Sequence, residues 1–283
     1  MESLTAVILG LVEGLTEFMP VSSTGHLIVV GHLLGFEGPK ASVFEVFIQL
    51  GAILAVLFLY RERFFGLLSF EKKVGFSGQR GIFLLFLTTL PAVLAGAGFH
   101  GFIKRYLFSP MTVALGLGVG GLGILLVERR RRTQFPSTAG TVGLRPGAPH
   151  RQLVSFKFGL DSVDARVALR VGLFQCLALW PGISRAAATI LGGMASGLDR
   201  KTAAEYSFLA AVPVMFAAVL FDLYKSLEWL HRSDIPIFLI GFTVAFLSAW
   251  VTVRFFIRLL QNHTLEFFGW YRLVAAFFIL WIY

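Results

Sequence analysis

Two acidic residues lie in an otherwise apolar segment near the start of the chain. Glu13 and Glu17 are four residues apart, which places both carboxyl groups on one face of a helix. An ionisable group at membrane depth costs about 2.5–3.5 kcal/mol on insertion scales, so each needs a reason to be there. Two like charges this close repel in a low dielectric, unless a hard cation such as Mg²⁺ binds between them. The pair predicts metal binding or acid–base chemistry, with a proton relay or a neutral buried pair as the alternative.

Hydroxyl groups and a histidine follow these carboxyl groups, just after Pro20. The segment reads Ser22-Ser23-Thr24-Gly25-His26. Hydroxyl side chains at such a place cap a helix, and the free N–H groups of a helix start also bind phosphate. Capping explains one hydroxyl group but not three together with a histidine. Ser23 and His26 are therefore predicted to form a reacting pair, with a base or a nucleophile among them.

A second proline-interrupted segment supplies an arginine. It reads Pro181-Gly182-Ile183-Ser184-Arg185, with Thr189 one turn later. The forked guanidinium of Arg185 matches the oxygens of a phosphate group, so the segment predicts an anion site. The alternative is a structural ion pair with one of four glutamates, Glu13, Glu17, Glu45 or Glu205. Ser184 and Thr189 offer further hydroxyl groups, although Thr189 could instead bond a carbonyl of its own helix.

Composition places these residues in a membrane. Of the 283 residues, 56% are hydrophobic and 14% are charged, whereas a soluble domain has about 25% charged residues. These values exclude a soluble globular enzyme, a disordered chain and a nucleic-acid-binding domain. The single cysteine, Cys176, excludes an intrachain disulfide. The chain is predicted to be an all-α polytopic membrane protein that forms one integral membrane domain over residues 1–283, with no nucleic-acid partner.

Long apolar runs predict about six transmembrane helices. They lie near 43–60, 82–99, 111–127, 204–223, 235–256 and 267–283. Each is long enough to cross about 30 Å of hydrocarbon at about 1.5 Å per residue.

Residues 4–35 and 165–197 each consist of two shorter apolar stretches on either side of a proline segment. Non-helical backbone at membrane depth survives only where protein or a water-filled cavity covers it. Both regions are therefore predicted to be re-entrant helix–turn–helix hairpins. Two kinked full spans in each region are the alternative.

The two broken regions resemble each other in sequence. Gly10-Leu11-Val12-Glu13 aligns with Gly172-Leu173-Phe174-Gln175, and Pro20 aligns with Pro181. One hairpin plus three spans thus occurs twice, in repeat 1 (about 1–128) and repeat 2 (about 161–283), joined by a cytoplasmic loop (about 129–160). Because three crossings is an odd number, the second copy must be inverted, and the two breaks should meet at the midplane and form the binding site.

Charge bias predicts the orientation of the chain. The loops 61–81, 128–166, 198–203 and 254–266 hold most of the 25 Lys and Arg residues. The positive-inside rule places these loops in the cytoplasm and both termini in the periplasm.

The segment from Glu13 to His26 closely resembles the signature of the bacterial undecaprenyl-diphosphate phosphatases, also called bacitracin-resistance proteins. The Pro181 to Arg185 motif with Thr189 is similar to that family as well, as are Phe44-Glu45-Val46 and Ile48-Gln49-Leu50-Gly51. The resemblance implies a multi-pass phosphatase of the bacterial inner membrane that releases inorganic phosphate from undecaprenyl diphosphate. It also implies recycling of this carrier lipid for peptidoglycan synthesis, and bacitracin resistance on overproduction.

The resemblance also implies roles for the residues already singled out. Glu13 and Glu17 would bind a divalent cation, Mg²⁺ or Ca²⁺, and Glu17 would also act in acid–base chemistry. Ser23, His26 and Arg185 would be catalytic, in a site open to the periplasmic side. The residues that bind the substrate would be Ser22, Thr24, Gly25, Ser184 and Thr189. Whether Ser23, His26 or a water attacks the phosphorus stays open.

The second motif departs from the family at Ala186, where a serine usually follows the arginine. We expect activity to survive, because Ser184, Arg185 and Thr189 remain. The acid-phosphatase class of membrane enzymes is rejected, because the histidine that it needs is replaced by Leu191.

A different hypothesis is a transporter or a channel, since inverted repeats with broken helices are typical of those and the glutamates could relay protons. A structural membrane protein gives no reason for an arginine and two glutamates in apolar helices. The oligomeric state stays open, with a homodimer as one expectation.

Overall fold

The fold is built from α-helices throughout the residues that the computed structural model describes, which are 2–69, 75–107, 109–134, 157–225 and 231–282. The helices are α1 (Glu2–Thr16), α2 (Ser23–Leu33), α3 (Pro39–Leu59), α4 (Arg61–Leu67), α5 (Gly78–Tyr106), α6 (Pro110–Gln134), α7 (Ala165–Cys176), α8 (Arg185–Ala195), α9 (Arg200–Lys225), α10 (Ile235–Asn262) and α11 (Glu266–Ile282). The all-α prediction is confirmed for this part of the chain. The predicted cytoplasmic loop, about 129–160, begins later than expected because α6 continues to Gln134, and residues 135–156 lie outside the described part.

In the described part of the chain, five helices are long and apolar enough to cross a membrane, and they correspond to five of the six predicted crossings. They are Pro39–Leu59, Gly78–Phe99, Pro110–Arg132, Arg200–Tyr224 and Arg232–Asn262. The sixth predicted crossing, 267–283, corresponds to α11, whose 17 residues extend over only about 25 Å. The multi-pass membrane protein is confirmed, and its sixth crossing stays a prediction.

Four shorter helices occupy the two regions that the sequence divides by proline. α1 and α2 have 15 and 11 residues and flank Pro20, and α7 and α8 have 12 and 11 residues and flank Pro181. Proline lacks an N–H group and does not continue a helix. After the second break, Ser184 caps α8 by accepting a hydrogen bond from the N–H of Ala187 at 3.2 Å. The predicted breaks near Pro20 and Pro181 are therefore confirmed.

The start of α7 is fixed by a charged cap. Asp164 Oδ1 accepts a hydrogen bond from the N–H of Val167 at 2.9 Å, and Lys157 Nζ donates one to Asp164 Oδ2 at 2.7 Å. The hydrogen bond from Lys157 stabilises the charged carboxylate and lowers the pKa of the Asp164 carboxyl group.

Each short region is anchored on a long helix of the other half of the chain. α1 packs along α10, and α7 packs along α5. A Cβ atom at Gly10 would lie 2.6 Å from the carbonyl oxygen of Gly241, and one at Gly172 would lie 2.7 Å from that of Thr88. Only glycine permits this approach, as is common where membrane helices pack closely. Further large interfaces join α3 to α9 and α10, α6 to α11, and α8 to α7 and α9.

Glu128 cross-links the basic end of the bundle. Its side chain is fully buried and accepts two hydrogen bonds from Arg200, at 2.8 and 2.6 Å, and one from the N–H of Leu265 at 3.0 Å. Nearby, Arg131 donates to the carbonyl oxygen of Met194 at 2.7 Å. Glu128 therefore ties the end of α6 to the beginnings of α9 and α11.

Candidate active site

The two proline turns meet, and Arg272 of α11 holds them together. Its guanidinium donates to the carbonyl oxygen of Pro20 at 3.1 Å and to that of Gly182 at 2.7 Å. Ser184 adds a direct contact, because its hydroxyl group donates to the carbonyl oxygen of Met19 at 3.4 Å. The expected convergence of the two breaks is therefore observed.

Arg272 is itself fully buried in the protein. Besides the two turns, it bonds the carbonyl oxygens of Gly116 and Leu117 on α6, both at 3.3 Å. Each of these four hydrogen bonds ends on a backbone carbonyl oxygen. The positive charge is thus solvated by peptide dipoles next to the site, and carbonyls released by the broken helices gain partners.

Ser23 is hydrogen-bonded to Glu13. The serine is the first residue of α2, and its hydroxyl group donates to Oε2 of the glutamate, which lies ten residues earlier on α1. Glu13 is fully buried, and its other oxygen, Oε1, has no hydrogen-bond partner. The backbone of Ser22 has a φ of 73°, a left-handed conformation that costs a non-glycine residue about 1–2 kcal/mol. This conformation turns the chain sharply enough to bring Ser23 back onto α1.

Arg185 and Glu17 form an ion pair across the two turns. Arg185 Nη2 lies 3.3 Å from Glu17 Oε1, and the two side chains are only 14% and 12% exposed. A second arm, Nη1, donates to the carbonyl oxygen of Ser207 at 3.4 Å, whereas the buried Nε has no hydrogen-bond partner. The guanidinium also lies 5.8 Å from the centre of the Phe18 ring. The guanidinium is therefore held in place while part of its donor capacity remains unused.

Thr189 supports Arg185 from within α8. Its hydroxyl group lies 2.8 Å from the carbonyl oxygen of Arg185 and 2.6 Å from the hydroxyl group of Ser207. The sequence left a bond to its own helix as the alternative to a substrate contact, and this bond is present. Thr189 thus links α8 to Ser207 of α9, whose carbonyl oxygen also accepts a hydrogen bond from Arg185.

His26 faces α11 rather than Ser23. Its Nδ1–H donates to the carbonyl oxygen of Ser22 at 2.8 Å, and Nε2 lies 2.5 Å from the hydroxyl group of Tyr271. The two rings are stacked, with centroids 5.7 Å apart. In the neutral ring the Nδ1–H bond leaves Nε2 as the acceptor from Tyr271. The contacts therefore pair Ser23 with Glu13 and His26 with Tyr271, in place of the expected Ser23–His26 pair.

The remaining predicted site residues lie on the same short helices. Gly25 is buried on α2, and Thr24 is exposed on it. Among the residues that the structure describes, no three His, Cys, Asp or Glu side chains lie close enough together to bind a metal ion by themselves. A cation at Glu13 and Glu17 would therefore draw its other ligands from substrate or water, which is the usual pattern for Mg²⁺.

Known proteins match this chain over nearly its whole length. A sequence profile of the family described as bacitracin resistance protein BacA matches residues 6–278. The chain belongs to this family. Proteins named undecaprenyl-diphosphatase are close relatives. That of Maridesulfovibrio salexigens is 54% identical over 99% of this chain and 98% of its own length. That of Solidesulfovibrio magneticus is 52% identical over 99% and 98%, and that of Lawsonia intracellularis is 48% identical over 96% and 95%.

For this member of the BacA family, three residues at the site were missed by sequence reasoning. Arg272, Tyr271 and Ser207 all lie inside segments read as plain membrane crossings. For Arg272 a signal was present, because inserting an arginine into an apolar membrane segment costs as much free energy there as it does at Arg185. Nothing in the sequence marks Tyr271 or Ser207, because their contacts arise from packing between distant helices.

Proposed function

We propose that the protein is an integral membrane phosphatase that hydrolyses undecaprenyl diphosphate to undecaprenyl phosphate and inorganic phosphate. The observation that carries this proposal is the meeting of the Ser23–Glu13 bond and the Glu17–Arg185 pair at two converging turns. Undecaprenyl-diphosphatases more than 50% identical over nearly the whole chain give the substrate.

Arg185 binds the diphosphate in this proposal. Its guanidinium has an unused buried donor, and a fork of N–H groups matches phosphate oxygens in a bidentate manner. Glu17 and the carbonyl of Ser207 hold the fork before substrate arrives. The beginnings of α2 and α8 contribute further N–H groups, since both helices start at the meeting turns. Ser22, Thr24, Gly25 and Ser184 lie at or beside these helix starts and would line the bound head group.

Ser23 is the nucleophile that the contacts favour, with Glu13 as its base. The Ser23 oxygen attacks the distal phosphorus while Glu13 accepts the hydroxyl proton, and the bond from that phosphorus to the bridging oxygen breaks. Undecaprenyl phosphate leaves, and a water then hydrolyses the phosphoserine to release inorganic phosphate and restore Ser23. His26, held by Ser22 and Tyr271, would protonate or orient groups on the other side of α2.

A divalent cation, Mg²⁺ or Ca²⁺, belongs to the same proposal. Glu13 Oε1 is a buried acceptor without a partner, and Glu17 lies one helical turn away, so the two carboxyl groups fit a cation that keeps other oxygen ligands. When bound, the cation would neutralise charge on the diphosphate.

The packing supports an inverted repeat with two re-entrant hairpins and a sixth crossing at α11. α1 of the first half packs on α10 of the second half, and α7 of the second half packs on α5 of the first half. The aligned glycines Gly10 and Gly172 make the close contact in each case. Helices of 11 to 15 residues are also too short to cross about 30 Å of hydrocarbon.

The orientation of the protein in the membrane is proposed from the charge bias of its loops. The basic loops lie in the cytoplasm, both termini lie in the periplasm, and the site of this inner-membrane enzyme opens to the periplasmic side. There it would recycle the carrier lipid for peptidoglycan synthesis and confer bacitracin resistance. A homodimer is the expected assembly.

The experiment is a phosphate-release assay on purified protein in detergent, with undecaprenyl diphosphate and Mg²⁺. The unaltered protein should release phosphate, and a chelator should abolish the release until Mg²⁺ or Ca²⁺ is restored. Arg185→Ala should be inactive, while Arg258→Ala, at an exposed arginine of α10, should be fully active. Release no greater than that of Arg185→Ala would contradict the phosphatase and favour a transporter.

A further inference from the structure

An apolar groove runs along the outer face of α2, between α6 and α11. Two adjoining cavities of about 110 and 150 Å³ form it, and both are lined by Gly25, Val29 and Ile279. One cavity extends towards Ser109 and Val113 at the beginning of α6. The other extends to His26, Tyr271, Ala275 and Phe278. We call this feature the α2 groove.

We propose that the α2 groove binds the first isoprene units of the substrate's prenyl chain, next to the diphosphate. This inference rests on the proposed function and adds a tail subsite to it. His26 belongs both to the candidate active site and to the lining of the groove, so the two are continuous.

The chemistry of the lining suits a hydrocarbon. Among the described residues that line the two cavities, none carries a carboxyl, ammonium or guanidinium group. Ser109, the one hydroxyl residue at the far end, is hydrogen-bonded to Thr112 at 3.0 Å. The polar groups of His26 and Tyr271 bond to each other at the near end, 2.5 Å apart. A ligand with one polar end and an apolar chain would therefore be oriented with its polar end at His26.

The geometry of α2 connects the groove to the reacting atoms. At about 100° per residue, His26 lies about 60° around the helix from Ser23, and Val29 lies about 60° beyond His26. Along the axis, Val29 is only about 9 Å from Ser23. With the distal phosphate at Ser23, the prenyl chain on the proximal phosphate would pass the His26–Tyr271 pair and enter the groove within two helical turns.

Gly25 lines both cavities and has no side chain to protrude into the groove. A Cβ atom there would meet Val113 at 3.6 Å and the hydroxyl oxygen of Ser22 at 3.5 Å, both ordinary contact distances. Packing therefore does not require a glycine at this position, and a larger side chain would narrow the groove because Gly25 lines both cavities.

The test compares undecaprenyl diphosphate with methyl diphosphate, which has no isoprene unit. Val29→Trp should lower kcat/KM for the long substrate by about tenfold or more, because filling a hydrophobic subsite removes binding of several methylene groups. The value for the short substrate should change less than about twofold. Val93→Trp, at an exposed apolar position of α5, is the matched control and should leave both values unchanged.

Two outcomes would overturn the groove. One is an unchanged preference for the long chain in Val29→Trp, which would mean that ordinary bilayer lipid fills the groove. The other is an equal loss with both substrates by a folded variant. Absence of phosphate release by the unaltered protein would count against the phosphatase instead.

Photo-crosslinking separates the groove from the activity. An undecaprenyl diphosphate analogue with a diazirine in its first isoprene units should label peptides of α2 or α11, and excess unlabelled substrate should prevent this. Labelling confined to α10 or α5 would contradict the groove, whatever the rate of hydrolysis.

Discussion

Arg272 donates a hydrogen bond to the carbonyl oxygen of Gly182 at 2.7 Å, across 90 residues of sequence. The same guanidinium reaches the carbonyl oxygen of Pro20, so one side chain sets the distance between the two turns. Ser23 and Arg185 begin the helices that follow those turns. Arg272 therefore controls the relative position of Ser23 and Arg185, the two residues that the proposed mechanism brings to the substrate.

Replacing Arg272 with methionine should destabilise the protein. The change removes the donor to the carbonyl oxygens of Pro20 and Gly182 at the two turns, and an unsatisfied buried polar group costs about 1–3 kcal/mol. We expect the free energy of unfolding to fall by about 3 kcal/mol or more, with phosphate release lost. Thermal unfolding in detergent measures this. Arg258→Met, at an exposed arginine, should unfold like the unaltered protein, and equal melting temperatures for both variants would contradict the role of Arg272.

Glu13→Gln tests the base of the proposed mechanism. Glutamine has the size of glutamate and still accepts a hydrogen bond from Ser23, but it does not take up the hydroxyl proton. Turnover should therefore fall by about 100-fold or more, since a positioned base contributes about that factor. Glu62→Gln, at an exposed position of α4, is the control and should keep the normal rate. An unchanged kcat for folded Glu13→Gln would remove this carboxyl group from the chemistry.

Arg185→Lys keeps the positive charge and removes the fork. Lysine offers a point charge rather than paired N–H groups, so binding of the diphosphate should weaken. We expect kcat/KM to fall by about 100-fold, a loss of about 2.7 kcal/mol at about 1.4 kcal/mol per tenfold step. The exchange Arg258→Lys should leave kcat/KM unchanged. Rates like those of the unaltered enzyme for Arg185→Lys would reduce this residue to a counter-ion of Glu17.

Glu128→Gln should affect stability without affecting substrate binding. The fully buried carboxylate bonds Arg200 twice and Leu265 once, and removing one partner of a buried pair is strongly destabilising. Because Arg200 is 27% exposed on its side chain, we expect a smaller loss of about 2 kcal/mol. Thermal unfolding reports the loss, and KM should stay constant. Glu266→Gln, in the more exposed pair with Arg132, should lose about 0–1 kcal/mol, and a loss equal to that of Glu128→Gln would contradict the difference.

The helices and their interruptions could be predicted because local sequence controls them. Apolar runs predicted five of the helices that are long and apolar enough to cross a membrane, and proline predicted both breaks. α11 illustrates the limit of this reasoning, because a run of apolar residues says how long a helix is but not what depth it reaches. The extent of α6 to Gln134 was missed, since arginines continue a helix as readily as they end one.

The partners of the site residues depend on the fold, so sequence reasoning found the residues but not all of their contacts. Ser23 and His26 are three residues apart and were read as a pair. The sharp turn at Ser22 instead directs Ser23 to Glu13, and packing directs His26 to Tyr271, 245 residues away. The Glu17–Arg185 contact was among the alternatives, because a buried arginine needs an anion and few were available.

The bonds of Arg272 also bear on the order in which the protein matures. The first turn, around Pro20, leaves the ribosome long before residue 272 exists. Its left-handed serine is not a conformation that a free chain prefers. The two turns of the candidate active site are therefore joined only after α11 has been synthesised and has packed into the bundle.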